Sequence, residues 1–444
     1  MVNTQNLFPN PAGTRPIDAA EHEFQRVKSS IHEQLVESFD LSKITRINRQ
    51  QLSDEVRSMA TDAFGNRKDL HAKIDRNRLM DELMDEIFGF GPLEKLLKDP
   101  TITDILVNDA KTIYVERRGK LELTDVVFAD DQHLIRIIQK IVAKLGRRID
   151  ESSPMVDARL PDGSRVNAVI PPLALDGPAV SIRRFGSDPL KIEDLLKLGS
   201  ILPEMVEFVS AAVTSRCSVL ISGGTGSGKT TLLNAFSRFI PEGERVVTIE
   251  DSAELILQHR HRIRMETRPA NTEGIGAVTQ RDLVRNSLRM RPDRIIVGEV
   301  RGPEVWDMLQ AMNTGHEGSM TTIHANTARD ALARLEMMVA MTGVELPVNV
   351  IRQYTAAGIN LVVHGSRLKG GPRRIMQVSE ICGIKDGQYQ LEDIFGFEQT
   401  GVDAEGTAVG EFFATGYKPK CLARMRAAGM NLNDSLFLPR RWKQ

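Results

Sequence analysis

The chain has few of the residues that mark a secreted or membrane-spanning protein. Its only three cysteines, Cys217, Cys382 and Cys421, are far apart and odd in number. This argues against a disulfide framework and favours a reducing cytoplasm. No Cys/His cluster has the spacing of a zinc site. No apolar run approaches the roughly 20 residues that a membrane helix needs. Met1 to Gly13 lacks the charged and apolar regions of a secretory signal.

The chain also lacks an excess of charge of either sign. Its 58 basic and 59 acidic residues give a formal net charge of −1, so there is no overall attraction for a polyanion. The basic stretch 259–264 alternates like a strand with one charged face, without interleaved aromatics for base stacking. A solvated or intersubunit face therefore explains it better than nucleic-acid binding. The patch of Arg367, Lys369, Arg373 and Arg374 is interpreted as an exposed turn, with anionic lipid headgroups or a membrane partner as the alternative.

The pattern of apolar residues divides the chain into segments. Helical spacing in three stretches before residue 89 predicts a small helix bundle. Alternating strands, including a hairpin over 156–170, then predict an α+β domain, and later apolar strands that alternate with helices predict an α/β domain with a mainly parallel sheet. The predicted segments are a disordered leader at 1–18, the helical bundle at 19–88, the α+β domain at 89–186, a linker at 187–200, the α/β domain at 201–365, and a C-terminal segment of short strands and a late helix at 366–444.

The most specific motif is a phosphate-binding loop. Residues 223–230 match G-x-x-x-x-G-K-[ST] between a short apolar strand and a helix. Glycines let successive backbone N–H groups wrap an anion at a helix N-terminus. The lysine can reach the β- and γ-phosphates, and the hydroxyl that follows it can bind Mg²⁺. The predicted nucleotide-binding residues of this segment are Gly224, Thr225, Gly226, Ser227, Gly228, Lys229, Thr230 and Thr231.

Two later strands are followed by carboxylates. Glu250, Asp251 and Glu254 follow one predicted strand, and Glu299 follows another. The carboxyl ends of such strands present ligands in α/β sheets. Nucleotide hydrolysis needs a water-positioning group and a carboxylate near Mg²⁺. For the first group a capped helix start, with Asp251 or Ser252 as the cap, is an equally good interpretation.

Two histidines, His316 and His324, lie in a stretch of small polar residues at 315–326. Neither has a partner at metal-site spacing. Each taken alone is most simply a structural histidine. Beside a γ-phosphate site, the pair could instead report which nucleotide is bound.

The order of these motifs resembles that of the type II/type IV secretion ATPase superfamily. The phosphate loop matches its Walker A motif, 248–254 its Asp box, 297–301 its Walker B motif and 314–324 its His box. The Walker B match departs from the common form, because Gly298 occupies the usual Asp position. Within the superfamily the chain is most similar to the CpaF/TadA ATPases of tight-adherence (Flp) pilus assembly. Further stretches carry that similarity: 89–97, 101–108, 114–121 and 414–419.

The resemblance implies a fold of the α/β class, with a RecA-like P-loop motor domain preceded by an α+β PAS-like N-terminal domain and a three-helix bundle. It also implies a homo-hexameric ring that uses ATP and Mg²⁺. By motif position, Glu254 would be the catalytic glutamate of the Asp box and Glu299 the Walker B glutamate near Mg²⁺, with Thr230 as a further metal ligand. His316 and His324 would be the His-box pair.

Two arginines outside the motor domain are also implied in the site. Arg165 and Arg183 match arginines that reach from the N-terminal domain toward the nucleotide phosphates in related type IV secretion ATPases. A guanidinium bridges two phosphate oxygens in a fixed fork, so ATP would draw the two domains together, with 186–199 as the hinge. In the alternative interpretation, both arginines pair with carboxylates such as Asp157 or Asp162 on the sheet surface.

The expected function is a cytoplasmic, Mg²⁺-dependent ATPase. It would associate peripherally with the inner membrane through polytopic platform proteins and drive pilin polymerisation indirectly. The first alternative is a type IV secretion-type ATPase that moves protein or DNA substrates. A RecA-like nucleic-acid motor is the alternative from another class. A small-molecule kinase is disfavoured because the Asp and His boxes have no role in one.

Overall fold

The computed structural model describes residues 75–117, 120–184, 189–270 and 275–443, together with a few single helical positions before residue 75. The predicted leader at 1–18 and most of the predicted bundle at 19–88 lie outside the described residues. The chain divides into two units, Met1–Gly186 and Ser187–Gln444, and each is described by itself.

The first unit is built on a six-stranded antiparallel sheet with the order β3-β2-β1-β6-β5-β4. Its elements are α1 (Arg76–Phe88), α2 (Leu93–Leu97), β1 (Ile102–Val107), β2 (Ile113–Arg117), β3 (Lys120–Leu123), α3 (Asp131–Lys144), β4 (Met155–Arg159), β5 (Arg165–Val169) and β6 (Ala179–Arg183).

The amphipathic helix α3 supplies much of the first unit's core. Asp130 caps its N-terminus by accepting a hydrogen bond from the backbone N–H of His133 at 2.7 Å. Leu134, Ile138 and Val142 repeat every four residues and are buried in the same apolar cluster as the strand residues. The predicted hairpin is confirmed, since β4 and β5 pair in antiparallel register.

The second unit contains a ten-stranded sheet with helices on both faces. Its elements are α4 (Ile192–Lys197), α5 (Pro203–Thr214), β7 (Val219–Gly223), α6 (Lys229–Ser237), β8 (Val246–Glu250), β9 (Arg262–Glu266), α7 (Gln280–Ser287), β10 (Arg294–Val297), α8 (Glu304–Asn313), β11 (Met320–His324), α9 (Ala328–Ala340), α10 (Val348–Gly358), β12 (Leu361–Arg367), β13 (Arg373–Lys385), β14 (Gln388–Val402), β15 (Ala408–Ala414), α11 (Leu422–Ala427), a 3₁₀ helix (Asp434–Phe437) and β16 (Arg440–Lys443).

The strand order is β16-β15-β14-β13-β12-β7-β11-β10-β8-β9. In the part of this order from β12 through β7, β11, β10 and β8 to β9, each strand is parallel to its neighbour. From β12 through β13, β14 and β15 to β16, each strand is antiparallel to its neighbour. Successive residues of β7 face opposite sides, with Val219 and Ile221 in one apolar cluster and Leu220 in the other. Burial on both faces explains the continuous apolar sequence of these strands. The expected α/β organisation is confirmed.

The C-terminal segment differs from the prediction of short strands with glycine-rich connections. β13 and β14 have 13 and 15 residues, and they extend the sheet of the second unit. Some of the glycines lie inside strands because a side chain there would collide with an aromatic ring. A methyl group on Gly396 would overlap the ring of Phe413, and one on Gly410 would overlap that of Phe397. These glycines are packing positions rather than breaks.

The predicted linker also differs from the structure. Residues 192–197 form α4, whose Ile192 and Leu195 are buried in the core of the second unit. The polar residues between them belong to the exposed side of a short helix. In the ranges described, no helix combines the length and apolar character required to span a membrane.

Candidate nucleotide-binding site

Four parallel strands bring the predicted site residues to one edge of the sheet. His324 at the end of β11 is in register with Gly223 at the end of β7, and Val297 of β10 is in register with Ile249 of β8. The phosphate loop, the segment after β8 and the Walker B carboxylate therefore emerge side by side. This is the edge at which an α/β sheet presents ligands.

The backbone of the phosphate loop requires its glycines. Gly226 and Gly228 have φ values of 70° and 93°, in the left-handed region that favours glycine. A methyl group on Gly223 would collide with the carbonyl oxygen of Gly365 on β12. Helix α6 begins at Lys229, directly after Gly228. The loop thus leads into a helix N-terminus, where unpaired N–H groups and the helix dipole favour an anion.

The Lys229 ammonium lies within the loop. Its Nζ donates a hydrogen bond to the Gly224 carbonyl oxygen at 3.1 Å and lies 3.9 Å from Oε1 of Glu299. Burial lowers the pKa of Lys229, and the negative charge of Glu299 opposes that effect. Glu299 compensates the positive charge of this partly buried lysine only in part, and a bound phosphate would supply the remaining negative charge.

The hydroxyls of the loop complete the polar lining. Ser227 is buried, and its Oγ has no hydrogen-bond partner among the described residues. Thr230 and Thr231 lie in the first turn of α6 and are partly exposed. The Thr225 hydroxyl and Nε2 of His324 are 2.8 Å apart. Burial, reinforced by the nearby lysine charge, lowers the pKa of His324 and favours a neutral imidazole.

Glu299 lies between two cations. Arg301 donates from Nε to Oε2 of Glu299 at 2.8 Å, while Lys229 approaches the other oxygen. Arg301 also lies 3.7 Å from Asp251, and the Gln280 side chain donates to the Glu299 carbonyl oxygen at 3.1 Å. Arg301 and Lys229 therefore approach the carboxylate from two sides, while Gln280 holds the backbone of the same residue. Carboxylate and hydroxyl oxygens are the donors that Mg²⁺ prefers, so Glu299 and the hydroxyls of the loop fit that ion.

Glu250 is the buried carboxylate of the cluster. It is 3% exposed, and its Oε2 accepts hydrogen bonds from the backbone N–H groups of Glu254 at 2.7 Å and Leu255 at 2.8 Å. Burial is the largest effect on this group and raises the pKa of Glu250 to about 7, although these two bonds oppose it. A methyl group on Gly298 would lie 2.9 Å from the Glu250 side chain. The departure from the usual Walker B residue thus makes room for Glu250.

The capped-helix interpretation of this segment is wrong. Residues 251–255 are not helical in the structure, and the Glu250 carboxylate binds the amides that a helix cap would have bound. Glu254 is partly exposed. Its negative charge acts on Lys229 and raises the pKa of that lysine against the effect of burial. Glu254 therefore belongs electrostatically to the phosphate-loop cluster.

The two predicted histidines lie at opposite ends of β11. His324 ends the strand beside the loop, whereas His316 precedes it. The five-residue strand between them spans about 16 Å. His316 accepts a hydrogen bond at its carbonyl oxygen from the Ser319 hydroxyl, and its Nδ1 is buried without a partner in the described ranges. Only His324 joins the cluster within one chain, and a sensing role for His316 stays a prediction.

Arg165 and Arg183 lie opposite each other on β5 and β6 of the first unit. Arg165 forms two hydrogen bonds with Asp157, at 3.2 and 2.6 Å, which is the partner that the surface-pairing interpretation named. Arg183 donates to Asp104 at 3.1 Å, a partner that was not predicted. Both arginines are thus held by surface carboxylates within their own unit. Their reach toward a nucleotide stays a prediction.

Three residues of the cluster were missed or misplaced from sequence. Arg301 binds the carboxylate of Glu299, and Gln280 binds its backbone carbonyl oxygen. Arg373, predicted on an exposed turn, donates from Nε to the Gly226 carbonyl oxygen at 2.8 Å. The sequence did offer a signal for Arg301, because a basic residue two positions after Glu299 can pair with its carboxylate. Nothing local points to Arg373, because 147 residues separate it from Gly226.

Comparison with known proteins identifies the family. The family model "Type II/IV secretion system protein" matches residues 86–363. A Mycobacterium tuberculosis protein named for conjugal transfer is 40% identical over 319 residues, which cover 70% of this chain and 90% of that protein. The type IV secretion system protein VirB11 of Brucella suis is 32% identical over 304 residues, covering 62% and 84%. The crystal structure of the Brucella suis VirB11 ATPase has 31% sequence identity and a TM-score of 0.36, and covers 66% of this chain and 97% of that one.

Proposed function

The chain belongs to the type II/IV secretion system protein family and is an ATPase, and we propose that it powers pilus assembly of the tight-adherence (Flp) type. In this proposal it forms a cytoplasmic homo-hexameric ring and acts on polytopic platform proteins of the inner membrane. ATP hydrolysis then drives pilin polymerisation through that platform. The first unit corresponds to the PAS-like N-terminal domain and the second to the RecA-like motor, with a helix bundle before them.

The observation that carries the pilus assignment is the C-terminal segment, which lies beyond the matched range 86–363. Its stretch 414–419, which resembles the pilus branch, connects α11 to the sheet. The Tyr417 hydroxyl donates to the buried carboxylate of Glu380 at 2.7 Å. The same carboxylate accepts hydrogen bonds from the backbone N–H groups of Lys420 at 2.8 Å and Cys421 at 2.6 Å. The stretch is therefore an integral part of the motor fold.

The residues of the site can be assigned separate roles in ATP hydrolysis. The loop amides and Lys229 would bind the phosphates, and Thr230 and Glu299 would hold Mg²⁺, which would supply positive charge to the reacting phosphates. Glu254 would position the attacking water, because it is a partly exposed carboxylate whose charge acts on Lys229. His324 is within hydrogen-bond distance of the loop and reports the nucleotide state.

The N-terminal arginines complete the proposed cycle. Arg165 and Arg183 would exchange their present carboxylate partners, Asp157 and Asp104, for nucleotide phosphates. An exposed ion pair contributes little stability, so this exchange costs little. ATP would then close the first unit onto the motor, and hydrolysis would release it. Replacing each arginine by Lys and measuring the distance between the units with an ATP analogue and with ADP tests this closure.

The pilus function is tested in cells with a catalytic variant. Glu254→Gln keeps the shape of the side chain and removes its charge. We expect the purified variant to bind ATP normally, to lose roughly 100-fold in single-turnover hydrolysis, and to leave cells without surface pili. The exposed Glu242→Gln serves as the matched control. Normal piliation with a hydrolysis-deficient motor would refute the pilus function, whereas normal hydrolysis would remove Glu254 from the catalytic role.

A second candidate is a type IV secretion-type ATPase that transports protein or DNA. Relatives named for conjugal transfer support it: the Mycobacterium tuberculosis protein and TrbB of Rhizobium radiobacter, which is 33% identical over 300 residues. Under this alternative, the Glu254→Gln strain would keep its pili and lose transfer of a marked plasmid or effector.

A further inference from the structure

The phosphate loop has a second flank that the resemblance does not assign. Strand β12 runs parallel to β7, and its Gly365 is in register with Gly223, where the loop begins. Arg367 follows two residues later and is paired with Arg373 at the start of β13. The β12–β13 hairpin therefore delivers two arginines to the edge of the sheet from which the loop emerges.

Both arginines lie against glycines of the loop. Arg373 donates from Nε to the Gly226 carbonyl oxygen at 2.8 Å. A methyl group on Gly228 would lie 3.5 Å from Cδ of Arg373, and one on Gly226 would lie 3.6 Å from Nη1 of Arg367. In the described part of the chain, the Arg373 guanidinium has no ion-pair partner, so its charge remains available to an anion.

The hairpin that presents these arginines is braced on two sides. The backbone N–H of Ala408 donates to the Lys369 carbonyl oxygen at 2.9 Å, and the turn at Gly370 packs against Thr407. On the other side, Arg374 donates to the Leu198 carbonyl oxygen at 2.9 Å. The arginines are therefore held by packed structure and not by a free turn.

The loop that the two arginines approach favours negative charge, since its backbone N–H groups can surround an anion. The guanidinium of Arg373, which contacts Gly226 in that loop, adds positive charge at the same place.

We propose that Arg373 and Arg367 form part of the nucleotide site. Arg373 is a positioning residue that holds the tip of the phosphate loop through Gly226, and both guanidinium groups add positive charge beside the polyphosphate of ATP and ADP. This rests on the assignment of the loop as the ATP site. Because both residues lie on the flank away from Glu254 and Glu299, their effect is on nucleotide binding in general and not on the chemical step.

The test compares Arg373→Gln and Arg367→Gln with Lys369→Gln, a matched charge change on the same hairpin without contact to the loop. Binding of a fluorescent ADP analogue, kcat, KM and the melting temperature are measured on the purified ring. We expect Arg373→Gln to weaken ADP and ATP binding about tenfold, to raise KM by the same factor and to change kcat less than twofold. Arg367→Gln should weaken binding less, and Arg373→Lys should recover part of the loss.

Several results would overturn this proposal. One is wild-type ADP affinity in Arg373→Gln, and another is an equal loss in Lys369→Gln, which would indicate unspecific electrostatics. A third is loss of binding to phosphatidylglycerol vesicles with unchanged ADP affinity, which would assign the arginines to a lipid surface. Lys229→Ala provides the reference. Normal ADP binding in that variant would refute the loop assignment itself, independently of the arginines.

Discussion

The two edges of the parallel strands use charge in opposite ways. At the amino edge carboxylates pair with guanidinium groups: Glu244 pairs with Arg216 and with the fully buried Arg294, and Asp293 pairs with Arg216. At the carboxyl edge, Glu250 retains an oxygen without a hydrogen-bond partner among the described residues. The same strands therefore carry an ion-pair network at one end and, at the other, a buried carboxylate that forms no ion pair within the described ranges.

The difference separates stability from function. The paired carboxylates and guanidinium groups of the amino edge contribute to the fold. A buried carboxylate without a cation partner costs stability, and such departures are typical of functional sites. Substitutions at the two edges should therefore have different consequences, and the predictions below are ordered by the size of the expected effect.

The largest effect on activity is expected from Lys229→Ala. It removes the ammonium that would neutralise the phosphates, so ATP turnover should fall by at least roughly 100-fold. The fold should persist, because the lysine's partners are one carbonyl and a distant carboxylate. Turnover and thermal melting are compared with those of the exposed Lys369→Ala. Near-normal turnover would contradict the assignment of the loop.

The largest effect on stability is expected from Arg294→Leu at the amino edge. The change leaves the partly buried Glu244 with Arg216 as its remaining ion-pair partner and removes one of the hydrogen bonds to the Val213 carbonyl oxygen. We expect a loss of about 3–5 kcal/mol in the free energy of unfolding. Urea unfolding measures it, with the exposed Arg289→Leu as control. Turnover per folded molecule should stay within about twofold of the wild-type value. A loss of turnover without a loss of stability would show that the amino edge also serves the catalytic site.

A pH-dependent effect of intermediate size is expected from Glu250. Its pKa in the folded chain is about 7, above the usual 4.5, so the folded state binds more protons than the unfolded state between these values. Stability therefore falls as pH rises from about 4.5 to 7, by about 3 kcal/mol for this group. Glu250→Gln should flatten that part of the wild-type curve. Parallel curves for both proteins would show that Glu250 titrates normally.

The smallest effect is expected at the two ends of β11. His324→Ala removes the partner of the Thr225 hydroxyl and should raise the KM for ATP about three- to tenfold. His316→Ala should leave KM unchanged, because it lies at the other edge. Both variants should impair pilus assembly more than ATP binding, provided that melting shows them folded. An equal rise in KM for His316→Ala and His324→Ala would contradict the inference that only His324 lies at the nucleotide site.

Much of the site was predictable because its motifs are continuous in sequence. Residues 223–230 are read directly as a phosphate loop, and Glu299 follows a visibly apolar strand. The placement of Glu254 was not decided locally. A capped helix and an exposed turn use the same residues, and the outcome depends on burial of Glu250, which captures the two backbone amides. The C-terminal strands were underestimated because Gly396 and Gly410 look like breaks until the rings of Phe413 and Phe397 are in place.

The sequence by itself determined the chemistry of the loop, the order of the strands along the chain and the family to which the chain belongs. These depend on short patterns whose physical demands, such as positive φ at glycine or burial on both sheet faces, are local. Tertiary structure alone decided which distant residues meet. Parallel pairing placed His324, but not His316, at the carboxyl edge, and the β12–β13 hairpin brought Arg373 to Gly226 across 147 residues. Such contacts follow from strand order in the sheet, which no local pattern encodes.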